Sequence, residues 1–346
     1  MKTKNTIKAV IILSLVFVMS GCSMNVNKPQ GGFFKSLDGG NSFFQEETES
    51  GLVLKGKNIT AMEINPNNDK EIFVGTSSFG LFKTVDEGKN WLADVNGFSD
   101  IKDIQILPGT TVIYMVAKKD GRGKLFKSDT NGESWIESYT EKDDYSYLTS
   151  VAVHPKNLGT VYISNSKGGL FKSEDGGATW KNLYWASSLI RKIELDSVNP
   201  NVIYLATERN GLVRSSDGGN SFEEIIDRGS IYNVVAHPNR EGSVYASTAK
   251  GLQRSLNFGN DWEMINTLIK SEEIASQGIA INPQNPDEIY FASGLTFYKS
   301  TNNGDTWSTT QFDVSSSIEI IRVNPNDSKK IYLGTNRNVS GLKLIK

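Results

Sequence analysis

An eight-residue segment recurs seven times along this chain of 346 residues and constrains its fold more than any other feature. One copy, Ser173–Trp180, reads SEDGGATW; the octets begin at Ser36, Thr84, Ser128, Ser173, Ser215, Ser255 and Ser300. Successive copies therefore lie 40 to 48 residues apart. Self-similarity at a nearly constant period is typical of repeat architectures, in which each unit is one supersecondary element that buries its apolar face against its neighbours.

The rest of each repeat predicts four short strands. A β-branched run ends in a proline in seven places, at Pro66, Pro108, Pro155, Pro200, Pro238, Pro283 and Pro325. A second strand follows, such as residues 71–76, then a third, such as residues 80–83, and the octet leads into a fourth. Every run is short, rich in β-branched residues and bounded by Pro, Gly, Asn or Asp. Four antiparallel strands in 40 to 50 residues are the pattern of a propeller blade.

The two ends of the chain indicate how the ring closes. We predict an all-β fold, a single seven-bladed β-propeller of four-stranded antiparallel blades over residues 33–346. An octet and a strand precede the first proline-marked run, so this N-terminal segment is predicted to complete the last blade. Residues 32–35 and 341–343 both have the pattern of a third strand, and the sequence leaves open which of them is used.

The octets have the residue pattern of a turn rather than of a catalytic or metal site. Their fifth residue is always glycine and their eighth is always Trp or Phe. The third residues share a short side-chain oxygen but no charge: Asp38, Asp86, Thr130, Asp175, Asp217, Asn257 and Asn302. A general acid requires its carboxylate, whereas a turn acceptor requires only an oxygen. The octets also lack the distant bidentate acid of a calcium loop. We therefore predict a structural role for these residues, no catalytic residue, no metal and no cofactor.

The pattern Ser-x-Asp-x-Gly-x-Thr-Trp resembles the Asp-box of bacterial neuraminidase-type (BNR) repeats. The resemblance covers about residues 31–346. Asp-box propellers include sialidases, xyloglucanases, sortilin-type receptors and the photosystem II stability/assembly factor family. An octet in every blade of one ring is most similar to the assembly-factor type, which implies a non-enzymatic role with membrane complexes. Xyloglucanases use two such propellers, and the Arg-Ile-Pro motif of sialidases does not occur in this chain.

The first residues resemble a bacterial lipoprotein signal. Three lysines precede the apolar run of residues 9–18, which is too short to span a membrane as a helix. Met19–Cys22 then resembles a lipobox. We predict a lipoprotein signal peptide at 1–21 and an acylated tether at 22–32. Lipid on Cys22 would hold the propeller on the extracytoplasmic side of the cell membrane, or at the outer membrane of a Gram-negative source. The alternative is a plain secretory signal with a chance cysteine.

Strand order assigns the connections between strands to two faces. The proline turns and the octets share one face, the octet face; the more varied connections share the other, the variable-loop face. Loops on a rigid scaffold usually carry binding residues. The sequence predicts an aromatic and basic patch there, formed by Trp185, Tyr184, Tyr145 and Arg209. The alternative for Trp185 is packing against a neighbouring blade.

Two recurring features with possible chemistry have structural explanations. His154 and His237 precede prolines in the slot that is Asn in other repeats, so a turn role is predicted for both. A basic residue also recurs in the third strand, where a solvated or salt-bridged position is predicted: Lys35, Lys83, Lys127, Lys172, Arg214, Arg254 and Lys299.

Two classes of function remain open from the sequence. The favoured one is a non-enzymatic scaffold that binds a protein or an envelope glycan. The alternative is a sialidase-like or xyloglucanase-like glycoside hydrolase, with its two carboxylates among Asp143, Asp144, Asp227 and Glu208. A formal net charge of −2 gives no footprint of a nucleic-acid partner.

Overall fold

The computed structural model describes residues 30–46, 54–227, 229–267 and 278–337, and these form 27 β-strands. Blade 1 consists of β2 (Ile59–Ile64), β3 (Ile72–Thr76), β4 (Leu81–Thr84) and β5 (Leu92–Ala93). Blade 2 consists of β6 (Ser99–Ile106), β7 (Ile113–Lys119), β8 (Arg122–Ser128) and β9 (Ile136–Thr140). Blade 3 consists of β10 (Leu148–Val153), β11 (Val161–Asn165), β12 (Gly169–Ser173) and β13 (Lys181–Trp185). Blade 4 consists of β14 (Ile190–Leu195), β15 (Ile203–Thr207), β16 (Leu212–Ser215) and β17 (Glu223–Ile226). Blade 5 consists of β18 (Ile231–Ala236), β19 (Val244–Thr248), β20 (Gly251–Ser255) and β21 (Glu263–Met264). Blade 6 consists of β22 (Ile279–Ile281), β23 (Ile289–Ser293), β24 (Thr296–Ser300) and β25 (Ser308–Gln311). Blade 7 joins β26 (Ser317–Val323) and β27 (Ile331–Asn336) to β1 (Phe33–Ser36) from the N-terminal side.

The seven sheets form the predicted seven-bladed β-propeller. Within blades 1 to 6 the strands pair antiparallel in chain order, and the first strands of successive blades contact one another around the ring. The second strands are almost wholly buried, since each lies inside its blade and between two others. Their second residue is a large aromatic ring, at most 2% exposed, in every blade: Phe73, Tyr114, Tyr162, Tyr204, Tyr245, Tyr290 and Tyr332. The apolar core therefore lies between blades rather than within one sheet.

Ring closure uses the N-terminal strand, as predicted. β1 pairs antiparallel with β27, from Phe33 opposite Gly334 to Ser36 opposite Ile331. β1 therefore takes the third place in blade 7, which answers the question left open by the sequence; residues 341–343 lie outside the described residues. The fourth place holds a single bridge between Phe44 and Lys35 instead of a full strand.

Each octet is a turn closed by its own side chains. In the fourth copy, the backbone N–H of Gly177 donates to Ser173 Oγ at 2.8 Å, and that hydroxyl donates to Asp175 Oδ1 at 2.7 Å. Asp175 also accepts the backbone N–H of Thr179 at 2.8 Å and its hydroxyl at 2.6 Å. Gly177 has a φ of 96°, which L-residues rarely adopt. Asn302 accepts the corresponding N–H at 2.9 Å, so the turn uses the oxygen and not the charge.

This geometry predicts that Asp175→Asn is tolerated and that Asp175→Ala is not. Alanine removes the acceptor of the Ala178 and Thr179 N–H groups, whereas asparagine keeps one oxygen in place. We expect a fall of several degrees in the melting temperature of Asp175→Ala, measured by circular dichroism, and little change for Asp175→Asn. The neighbouring Glu174→Ala serves as the control, because the Glu174 carboxylate pairs with Lys172 and accepts none of the N–H groups of the turn. Equal melting temperatures for Asp175→Ala and Glu174→Ala would contradict the acceptor role.

The aromatic residue that ends each octet packs on rings of nearby strands. Trp180 of blade 3 meets Tyr139 of blade 2 edge-to-face at 5.7 Å between centroids, and Phe222 of blade 4 stacks on Tyr184 of blade 3 at 4.5 Å. Such pairs stabilise beyond their buried area. The octet therefore supplies a turn on the surface and a contact between blades.

The recurring basic residues of the third strands also connect blades. Six of the seven form ion pairs, such as Lys83 with Glu71 at 2.8 Å, which confirms the salt-bridged position. Five donate in addition to the carbonyl of the fourth octet residue in the next blade: Lys35, Lys83, Arg214, Arg254 and Lys299. These charges are held in the walls between blades and do not form a free positive ring.

In six of the seven blades the turn after the first strand is capped by a side-chain acceptor, the exception being blade 2, where the residue is Leu107. His154 Nδ1 accepts the N–H groups of Lys156 at 3.2 Å and Asn157 at 3.0 Å, as Asn324 does in blade 7. The predicted turn role of the histidines is confirmed. In blade 4 the capping residue is Asp196, not the predicted Asn199, because three extra residues separate the strand end from the proline.

Candidate functional site

The seven first strands surround a central channel whose lining is set by β-bulges. The register of the first strand shifts in six blades, between Ile59/Ala61, Ser99/Asp103, Leu148/Ser150, Ile190/Lys192, Ile231/Asn233 and Ile318/Ile320. A bulge re-aims a side chain and interrupts the alternation of the strand. The residues within these bulges line the channel near one end and are called the mouth ring: Thr60, Lys102, Thr149, Arg191, Tyr232 and Glu319.

The channel opens on the variable-loop face. A cavity of about 320 Å³ at this opening is lined by five of the six mouth-ring residues and by residues of the connections there, among them Ser77, Tyr147 and Leu189. It continues into a deeper cavity of about 400 Å³ between the first strands. A concave site with a few convergent polar groups is the usual form of a ligand pocket.

Ion pairs inside the channel connect first strands of different blades. Lys192 of blade 4 binds Asp103 of blade 2 at 3.1 Å, and Asp103 also accepts the Ser150 hydroxyl at 2.7 Å. Arg322 of blade 7 binds Glu63 of blade 1 at 3.2 Å. Charged side chains that are paired and hydrogen-bonded can be accommodated inside the channel, whereas an unpaired buried charge destabilises the fold.

Burial raises the pKa of three carboxyl groups that line the channel, Glu63, Glu194 and Glu319. Burial raises the pKa of Glu194 to about 7, although Lys192 opposes the shift, and it raises the pKa of Glu319 to about 8. Glu319 is 8% exposed, and its Oε1 has no hydrogen-bond partner among the described residues. Arg191 Nη2 binds Glu208 at 3.0 Å, while its Nε is buried and has no partner within the same part of the chain.

The four residues predicted as a binding patch do not form one patch in the structure. Tyr184 and Trp185 are the last residues of β13 rather than loop residues. Consecutive strand residues point to opposite sides: Tyr184 stacks on Phe222 of blade 4, whereas Trp185, 55% exposed, meets Phe171 and lines a cleft with Tyr139 of blade 2.

The other two members of the patch are exposed on the variable-loop face. Tyr145 is 89% exposed in the connection between blades 2 and 3, and Arg209 is exposed in the turn between β15 and β16. The backbone N–H of Arg209 donates to Ser188 Oγ at 3.2 Å. A binding role for the four residues stays a prediction.

The carboxylates that sequence reasoning proposed for hydrolysis lie outside the channel lining. Asp144 pairs with Arg122, Asp143 lies 3.5 Å from Lys167, Glu208 pairs with Arg191, and Asp227 also has an interaction partner. The acids that line the deeper cavity of the channel are Glu63, Asp103, Glu194 and Glu319, and Asp100 lines the cavity at its mouth. These channel acids were not predicted from the sequence, because the prediction considered only the acidic residues of loops. Their signal is a charged residue inside a β-branched first-strand run, as in IRKIEL of β14.

Fold and channel together define a seven-bladed β-propeller with a polar, bulge-lined mouth on its variable-loop face. No family model matches the sequence. The chain is 29% identical over 157 residues to a xyloglucanase of a Paenibacillus species and 24% identical over 155 residues to an oligoxyloglucan-reducing end-specific xyloglucanase of Emericella nidulans. Each match covers 42% of this chain, but only 15% and 19% of those proteins.

Solved structures show the same fold at low identity. The GH74 xyloglucanase of Xanthomonas campestris superposes with a TM-score of 0.68 at 17% identity, over 81% of this chain and 51% of that one. YCF48 from Cyanidioschyzon merolae superposes with a TM-score of 0.61 at 13% identity, over 82% of this chain and 97% of that one. A structure of YCF48 bound to a D1 peptide gives 0.62 at 14%, over 89% and 99%. The chain thus spans about half of the xyloglucanase and nearly all of YCF48.

Within the described ranges, no helix has the length and apolar character to cross a membrane. The same residues contain no group of three His, Cys, Asp or Glu side chains arranged to hold a metal ion.

Proposed function

We propose that this protein is a non-enzymatic, extracytoplasmic scaffold that binds a polypeptide partner at the mouth of its channel. The observation that carries the proposal is the cavity on the variable-loop face, which presents buried polar atoms without internal partners. Uncompensated buried polar groups are costly and are retained where a ligand satisfies them. A peptide supplies both donors and acceptors at the spacing of a backbone.

Two further features support a polypeptide over an envelope glycan. The cavity at the mouth is lined by charged side chains and by one aromatic residue among those described, Tyr147, which Lys102 and Lys118 already cover. The mouth-ring residue Tyr232 lines the deeper cavity instead. A sugar ring would favour an open aromatic platform. YCF48, which shares this fold along nearly its whole length, has been solved with a bound peptide.

The location follows from the N-terminal residues. Acylation of Cys22 would hold the propeller at the extracytoplasmic surface of a membrane, and residues 22–32 would act as a short polar tether. Both features belong to the proposal, as residues 1–29 lie outside the described part of the chain.

A photo-crosslinking amino acid at defined positions tests which face binds. We expect Tyr147→p-benzoylphenylalanine, at the mouth, to form polypeptide adducts in intact cells that produce the protein. Leu256 is the matched control, because it is 51% exposed and belongs to an octet on the opposite face. The same substitution at Trp185 tests the outer cleft. Adducts that are as abundant from Leu256 as from Tyr147, or absent from Tyr147, would contradict the proposal.

Glycoside hydrolysis is the second candidate, favoured by one observation. Glu194 and Asp103 both face the channel, and the pKa of Glu194, raised to about 7, suits a general acid. The similarity to xyloglucanases suggests the substrate class. Release of reducing sugar from xyloglucan by the wild type, lost in Glu194→Gln, would favour this candidate over the scaffold.

A further inference from the structure

Glu319 is the carboxyl group of the channel mouth without an ion-pair partner. The other charged side chains that line the mouth have ion-pair partners: Lys102 lies 2.7 Å from Asp100, which Lys118 shares at 3.8 Å, and Arg191 lies 3.0 Å from Glu208. Glu319 has neither a cation nor a hydrogen bond at Oε1 among the described residues, although it is 8% exposed and lines both channel cavities. The bulge between Ile318 and Ile320 places it there.

An isolated buried carboxyl group is poorly stabilised by the protein alone. Its removal from water is not compensated, so the group retains a proton until a cation or donor arrives. Burial raises the pKa of Glu319, and no ion pair with a described residue opposes that shift. The position is therefore complementary to a ligand that brings one positive charge.

The walls around Glu319 define the shape of that ligand. Ile59, Leu189 and Ile320 contribute apolar surface to the mouth, while Thr60 and Thr149 add hydroxyl groups. An aliphatic stem with a charged tip fits such a lining, since long basic side chains bury their methylene groups and pair their heads. A cavity of about 320 Å³ admits one side chain rather than a folded element.

We infer that the mouth receives a lysine side chain of the polypeptide partner, with its ammonium group bound by Glu319. A single unpaired carboxylate oxygen matches the point charge of an ammonium group better than the planar fork of arginine, which prefers a bidentate partner. The unpartnered Nε–H of Arg191 lies at the same mouth and donates to a backbone carbonyl of the bound segment. This inference rests on the proposed function and assigns the residue that the partner presents.

Short peptides with and without the charge test the inference. Acetylated, amidated alanine peptides carry one central lysine, arginine or norleucine and a fluorescent label, and anisotropy measures their binding to the full-length chain. Norleucine keeps the aliphatic stem and removes the ammonium group. We expect the lysine peptide to bind at least about tenfold more tightly than the norleucine peptide, with arginine in between.

Variants of the mouth assign the preference to Glu319. Glu319→Gln is expected to abolish the difference between lysine and norleucine, while Asp144→Asn, which removes a carboxylate from an exposed loop, keeps it. Thr60→Lys offers an ammonium group from the chain itself and is expected to block the lysine peptide even if Glu319→Gln fails to fold. The inference would be overturned by equal affinities for the lysine and norleucine peptides or by no binding of either peptide. It would also be overturned if the preference for lysine persisted in Glu319→Gln. Crosslinks from Tyr147 in wild-type cells would still support the scaffold in those cases, so the two failures are distinguishable.

Discussion

Replacing Phe33 by alanine is expected to lower the free energy of unfolding by about 3–5 kcal/mol, the usual cost of truncating a buried phenylalanine. Phe33 is 4% exposed and lies in β1, the strand that closes the ring. Its ring meets Trp91 of blade 1 edge-to-face at 5.0 Å between centroids and stacks on Tyr332 of blade 7 at 5.7 Å. One side chain thus joins the last blade to the first.

The measurement is urea denaturation followed by fluorescence, with Leu92→Ala as the control. Leu92 is 66% exposed in β5, so its truncation is expected to change the free energy of unfolding by less than about 0.5 kcal/mol. The ring has no other covalent or topological closure among the described residues, and we expect the loss at Phe33 to destabilise blades 1 and 7 together. A Phe33→Ala variant as stable as Leu92→Ala would mean that β1 does not hold the ring closed.

Glu319→Gln is expected to stabilise the protein in alkaline solution and to leave its stability nearly unchanged in acid. The folded protein raises the pKa of Glu319 to about 8 from a normal value of 4.5. Below pH 4.5 the Glu319 carboxyl group is protonated in both the folded and the unfolded protein, so its titration does not change the free energy of unfolding. Between the two pKa values the unfolded chain releases the proton and the folded chain retains it, so wild-type stability falls as the pH rises until the folded pKa is passed. Glutamine does not titrate and avoids this loss.

The expected size of the effect is about 3–5 kcal/mol between pH 4 and pH 9, since one pKa unit corresponds to about 1.4 kcal/mol. Urea denaturation of both proteins at pH 4, 6 and 9 measures it, and the difference between the two removes the contribution of all other titrating groups. Asp144→Asn, which alters an exposed carboxylate, is expected to show no such trend. If the difference between wild type and Glu319→Gln is the same at every pH, Glu319 is not buried without a partner.

Much of the fold could be predicted from the sequence because its determinants are local. Asp175 finds its hydrogen-bond partners within four residues, at Ser173 and Thr179, so the octet carries its own turn wherever it occurs. Repetition then gives the number of blades. The basic residue of the third strands also recurs once per repeat in the sequence. Its role depends on the tertiary structure, because Lys83 donates a hydrogen bond to the carbonyl of Asn131 in the next blade.

The candidate site was not predictable in the same way. The order of strands assigns loops to faces, but a strand alternates its side chains, so Tyr184 and Trp185 were expected in one patch and lie on opposite sides of a blade. A bulge shifts this alternation by one residue, and no periodicity in the sequence marks where it falls. Glu319 enters the channel for this reason alone.

Seven repeats, the turn chemistry of the octets and the need for both chain ends in one blade could all be inferred from the sequence. These depend on hydrogen bonds within eight residues and on a count of similar units. The structure was needed to show that β1 is the third strand of blade 7, that the channel acids come from first strands, and that Glu319 has no ion-pair partner among the described residues. Those features depend on contacts between residues from 89 to 301 positions apart, and such contacts are fixed by how the blades pack around the ring rather than by any local pattern.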